Sequence, residues 1–224
     1  MAFIVIYDAC VLYPAPLRDL LMRVAHAGLV RARWTDAILD ECFRNVAEAR
    51  PGIKPEALAR TRKLMIAAVA DCLVTDYESL IAGLELPDPD DRHVLAAAIR
   101  GAAQVIVTAN LRDFPAERLR PYHVEAQHPD DFVLGLIDLA PGAVASIVGQ
   151  QAPARQVGSS LHARSDSTHG CHWASDDRSS FGNMTNRAEV ARQREGRIVV
   201  DVGRRAEGVR ARSPGQTSSW AERP

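Results

Sequence analysis

Phe3-Ile4-Val5-Ile6-Tyr7 is an unbroken apolar run that stops abruptly on Asp8. A short run of this kind predicts a buried central strand that carries a carboxylate to the C-terminal edge of a sheet. Pro14 and Pro16 then break the chain, and Leu17, Leu20, Leu21 and Val24 repeat at the spacing of a half-buried helix over 17–27, ended by Gly28. Val30–Trp34 is a second strand candidate, and Thr35 stands where the N-cap of a helix over 37–49 belongs. Pro51-Gly52 stops that helix, and Pro55 opens another over 56–72. A short helix is expected near 76–82 and a proline-rich loop over 86–90. Then follow a helix from Asp91 to Arg100, a buried strand over 105–108, a strand near 123–126 and a helix from Pro129 to about Leu139. This alternation at these lengths predicts an α/β fold, three-layered α/β/α around a central, mostly parallel sheet. From about Ala143 Ser, Gly, Arg and Gln dominate and the apolar periodicity is lost. The expected division is therefore a folded domain over 1–142 and a largely disordered tail over 143–224, with Arg197–Val202 its one strand candidate. An altered reading frame would give the same composition.

Composition adds an asymmetry that the totals hide. The 224 residues carry 27 Lys and Arg against 28 Asp and Glu, a net charge of −1. Residues 1–149 hold 15 basic and 20 acidic side chains, whereas 150–224 hold 12 and 8. The folded part is thus no general basic nucleic-acid binder, and any such contact must come from local arginines. Lys54 and Lys63 are the only lysines. Cys10, Cys42, Cys72 and Cys171 are scattered, with no CxxC pair, and the first three read as reduced core thiols. The N-terminal apolar run is too short for a leader and no stretch reaches the roughly 18 apolar residues of a membrane span. A cytoplasmic protein with no membrane contact is the expectation.

Acidic residues at the ends of the expected elements are the candidate chemistry. On the helix after Thr35, Asp40 and Glu41 point about 100° apart, so they cannot both face one site. Leu39, Cys42, Phe43 and Val46 outline the buried stripe; Glu41 flanks it and Asp40 lies towards solvent. Asp88, Asp90 and Asp91 crowd the start of the next helix. One acid suffices to cap a helix, and three so close repel one another unless a cation is near. After the strand over 105–108, Thr108, Asn110 and Asp113 form another polar cluster, in which Asn110 or Asp113 would complete a site directly or through water. Oxygen ligands without His or Cys suit Mg²⁺ or Mn²⁺, an ion that activates water in phosphodiester cleavage.

Four ordered segments carry a family resemblance: IVIYDACVLYP, WTDAILDECFRNV, LPDPDDRHVLAAAI and VIVTANLRDFP. Together they resemble the PIN-domain family of metal-dependent ribonucleases, including the VapC-like toxins of bacterial toxin–antitoxin pairs, over roughly residues 2–140. The resemblance implies that Asp8, Glu41 and Asp91 are the first three catalytic acids and metal ligands. Asp113 joins them as the fourth ligand, because Asn110 stands where many relatives have Asp. It further implies an auxiliary acid at Asp88, a supporting hydroxyl at Thr108, and in-line attack of metal-activated water on RNA that leaves a 3′-hydroxyl and a 5′-phosphate. Arg44, one helical turn from Glu41, is the candidate phosphate contact. The implied cofactor is Mg²⁺ or Mn²⁺. The implied partners are an RNA substrate and a small antitoxin, with a homodimer as an alternative use of the apolar runs 17–30 and 53–72.

Other signals carry less. His162, His169, Cys171 and His172 match no zinc-finger spacing. Asp8-Ala9-Cys10 lacks the second acid of an aspartyl phosphatase, and His93 and His123 read as lone structural or exposed histidines. Two readings compete with the nuclease: a catalytically weakened PIN-like module that binds protein or RNA, motivated by Asn110, and a DNA nuclease using the same metal chemistry.

Overall fold

The computed structural model describes residues 3–155. Four short strands form one sheet: β1 (Ile4–Tyr7), β2 (Arg31–Arg33), β3 (Val105–Val107) and β4 (Glu125–Gln127), in the order β2-β1-β3-β4. Every pairing is parallel, with Val5 opposite Ala32 and Val105, and Ile106 opposite Ala126. A parallel sheet needs a crossover between neighbours, and helices supply each of them. Those helices are α1 (Ala9–Leu12), α2 (Ala15–His26), α3 (Asp36–Ala49), α4 (Pro55–Ala68), α5 (Glu78–Ile81), α6 (Arg92–Arg100) and α7 (Ala116–Leu119). Two more, α8 (Pro129–Leu139) and α9 (Pro141–Arg155), follow β4. The three-layer α/β/α arrangement expected from the alternation is the fold observed.

Period-two geometry sends Val5 and Tyr7 to one face of β1 and Ile6 to the other, and all three are completely buried. Tyr7 donates its hydroxyl to the Leu21 carbonyl of α2 (3.3 Å) and stacks on Trp34, with ring centroids 6.4 Å apart. Phe132 of α8 meets Tyr7 edge-on at 6.2 Å. Complete burial pushes the Tyr7 phenol well above its ordinary pKa, so it stays protonated as a structural donor. Helix α6 packs against β1 and β3, its Val94–Ala98 segment wholly buried.

Several boundaries differ from the sequence reading, each for a backbone reason. Asp8 starts a further short helix, α1, by accepting from the Ala9 amide (2.6 Å). Helix α4 stops at Ala68 rather than near 72. Val69 is extended, Asp71 is left-handed (φ 53°), and the chain turns to exchange hydrogen bonds with Trp34 through the Cys72 carbonyl (2.8 Å) and the Val74 amide (2.9 Å). Strand β4 begins at Glu125 because His123, at φ 56°, closes the turn over Arg120–Tyr122. Past the expected boundary at 142 the chain continues as a helix. Helix α9 runs from Pro141 to Arg155 and packs on α2 and α8, with Val144, Ala145 and Ile147 buried. The part of the expected tail beyond 155, including the Arg197–Val202 strand and the His162, His169, Cys171 and His172 group, lies outside the described residues.

Candidate active site

The C-terminal ends of β1 and β3 lie side by side, so Asp8 and Thr108 leave the sheet as neighbours. Asp8 is only 5% exposed, and a buried carboxylate is tolerated only when hydrogen-bonded or paired. Its Oδ1 accepts from the Ala9 amide. Its Oδ2 accepts from the Thr108 hydroxyl (2.7 Å) and the Cys10 thiol (3.1 Å). Thr108 Oγ1 in turn accepts from the Asn110 amide (3.0 Å), and Cys10 Sγ accepts from the Ala109 amide (3.3 Å). Cys10 is a free core thiol, as the sequence reading had it, and is in addition a polar partner of the central acid. A Cys two residues beyond a strand-ending Asp was the available signal, since Asp8 caps the turn that contains it.

Asp91 comes to the same place by another route. Asp88 accepts from the Asp90 amide (2.8 Å) and so starts a 3₁₀ turn over Pro89–Asp91 that runs directly into α6. Asp113 is held by the side-chain amide of Asn110, which donates to its Oδ2. One carboxylate oxygen from each of Asp88, Asp91 and Asp113 lies within 4.8 Å of the others. This grouping includes Asp88, which the sequence reading had as an auxiliary, together with Asp91 and Asp113. Asn110 orients Asp113 through its amide.

Burial and then the charges of Asp8, Asp88, Asp113 and Glu41 push the Asp91 carboxyl up to about 8. Glu41 is raised as well, by burial first and Asp8 second, while His93 and Arg44 oppose the rise. These mutual influences put Asp8, Glu41, Asp88, Asp91 and Asp113 in one negative site. Helix α3 delivers Glu41 there because Thr35 caps it, accepting from the Ile38 amide (3.1 Å). Asp40 faces away and, with Asp36, pairs with Arg62. Arg44 is exposed, one turn beyond Glu41.

Of the residues singled out weakly or not at all, His93 borders the site and Arg18 braces α1. His93 Nδ1 contacts the Asp90 carbonyl (2.7 Å), and its buried Nε2, which has no hydrogen-bond partner, is 3.9 Å from Glu41 Oε2. A His two residues past Asp91 at a helix start would have flagged it. Arg18 donates to the Leu12 (2.7 Å) and Tyr13 (3.3 Å) carbonyls and so ties down the end of α1 behind Asp8. No helix among the described residues is long and apolar enough to cross a membrane.

The donor set fits a hard divalent cation. It consists of carboxylates alone, three of them converge within 4.8 Å, and burial and then neighbouring charge push one of these, Asp91, up to about 8. A parallel α/β sheet with acids gathered at its C-terminal edge places the candidate site where open α/β sheets bind their ligands. A PIN domain family model matches residues 4–112, so this part of the chain is similar to the PIN-domain family. The chain is also 49% identical over 72 residues to a protein of Mycobacterium tuberculosis (strain ATCC 25618 / H37Rv) described as "Putative ribonuclease VapC50". That match covers 32% of this chain and 42% of the relative, so the chain spans less than half the length of the relative it matches. No solved structure matches the chain.

Proposed function

We propose that this protein is a metal-dependent endoribonuclease, hydrolysing RNA phosphodiester bonds as the toxin of a toxin–antitoxin pair. The observation that carries the reading is the convergence of Asp88, Asp91 and Asp113 beside Asp8 and Glu41 at the C-terminal edge of the sheet. Similarity to a ribonuclease of the VapC group supports RNA as the substrate class and an antitoxin as the partner.

Asp8, Glu41, Asp91 and Asp113 are the residues that would hold Mg²⁺ or Mn²⁺, with Asp88 supporting them. When bound, such an ion supplies an activated water and charge neutralisation at a phosphodiester. The chain's own contribution is positional. Asp8 is fixed by three donors, so its carboxylate does not swing away when the ligand set is completed. Asp91, whose carboxyl is pushed up to about 8, would have to be ionised to serve as a ligand. Asn110 holds Asp113 in register with Asp88 and Asp91. Arg44, exposed at the margin of the acidic site, offers a bidentate donor to a backbone phosphate.

The test uses the full chain on structured and unstructured RNA and on DNA of the same sequences, with Mn²⁺ or with EDTA, beside Asp8→Asn. The expected result is RNA cleavage that requires Mn²⁺ and disappears in the variant. Cleavage that survives Asp8→Asn refutes the assignment, and equal cutting of DNA moves the activity to a general nuclease.

A further inference from the structure

We propose that Cys10 is a positioning residue for the metal site, whose thiol decides which oxygen of Asp8 faces the metal. The inference deepens the metal-nuclease reading and rests on it. Cys10 is 5% exposed and belongs to the hydrophobic core, yet its thiol also meets polar atoms. Its S–H donates to Asp8 Oδ2 (3.1 Å), its sulfur accepts from the Ala109 amide (3.3 Å), and it touches Thr108 Oγ1 at 3.3 Å. It therefore joins the end of β1 to the first residues after β3, the two places from which the acids project.

Thr108 does the matching task from the other side. Its hydroxyl proton goes to the same Oδ2, and its oxygen accepts from the next amide along, that of Asn110. A carboxylate oxygen offers about two good acceptor directions. With Cys10 and Thr108 both donating, Oδ2 is full. Oδ1, which among the described residues accepts from the Ala9 amide alone, keeps one direction open. Asp8 thus presents a single oxygen in a single orientation, and the thiol is one of the two donors that enforce it. Partners that orient metal ligands typically contribute about 10–100-fold to metal affinity or activity.

Packing and hydrogen bonding are separable here, because valine keeps the bulk and loses the donor, while serine keeps a donor and loses bulk. The experiment titrates Mn²⁺ into full-length wild type, Cys10→Val and Cys10→Ser, reading the rise in Tm and, separately, kcat and KM for RNA. Cys10→Val is expected to weaken Mn²⁺ binding about tenfold, with Cys10→Ser recovering most of it and KM for RNA unchanged in both. Wild-type Mn²⁺ affinity in Cys10→Val, or serine behaving no better than valine, overturns the proposal. Should either variant fail to fold, infrared difference spectra of wild type against Asp8→Asn report the Cys10 S–H stretch directly. A stretch that moves with Asp8→Asn supports the hydrogen bond, and an unmoved one overturns it. Wild type that takes up no Mn²⁺ at all refutes the metal reading itself, an outcome distinct from equal affinities.

Discussion

Asp91→Asn in the metal-stripped protein isolates the cost of crowding negative charge in the site. Burial and four neighbouring acids move the Asp91 carboxyl from its ordinary 3.8 up to about 8 in the folded chain. Between those values the folded state holds a proton that the unfolded state has lost. Stability follows the excess of protons bound by the unfolded state, which is negative here, so it falls as pH rises across this window. Below about pH 4 both states are protonated and the contribution vanishes. Above about pH 8 both are ionised and the whole repulsion is felt. A tenfold difference in proton affinity is about 1.4 kcal/mol, so the unscreened gap is on the order of 5–6 kcal/mol. Asp91 is only half-buried, and solvent screening and relaxation reduce this to about 1–3 kcal/mol. At roughly 2–4 °C per kcal/mol for a chain of this size, Asp91→Asn raises the Tm by about 3–10 °C at pH 8 and hardly at all at pH 4. Thermal melts in EDTA from pH 4 to 8.5 measure the difference, and Mn²⁺ then reverses the order by stabilising wild type more. A variant less stable than wild type at pH 8, or a difference that does not change with pH, refutes the electrostatic account.

Two further outcomes follow from particular contacts. Arg44→Ala raises KM for RNA several-fold and leaves kcat and the Mn²⁺ titration alone; a lowered kcat with unchanged KM would place Arg44 outside substrate binding. A chain ending at residue 142 melts lower than one ending at 155 by about 5–10 °C. It loses the buried Val144 and Ile147, each contributing roughly 1.5–3 kcal/mol before discounting for a compact unfolded chain, and equal melting curves would show α9 to be dispensable.

Much of the site was legible because its parts sit at punctuation points. A strand ending on an acid, an N-cap six residues before Glu41, and three acids at a helix start are each local patterns, and each predicted the element that carries it. The choice of Glu41 over Asp40 followed from helix geometry alone, and the structure places Asp40 with Arg62 in solvent. Boundaries set by long-range backbone pairing were not legible. The end of α4 depends on Trp34 meeting Cys72, a contact between segments nearly forty residues apart that no local signal announces. Helix α9 was not legible because apolar periodicity is lost there, while Val144, Ala145 and Ile147 are buried in a helix that packs on α2 and α8.

The sequence by itself determined the α/β class and the mostly parallel sheet, because burial periodicity and capping are properties of neighbours in the chain. Only the tertiary structure decided which oxygens converge: Asp88 with Asp91 and Asp113, Asn110 as an orienting donor, and Cys10 as a partner of Asp8. Those relations join residues as many as about a hundred positions apart through strand order, and strand order is set by the packing of the whole domain.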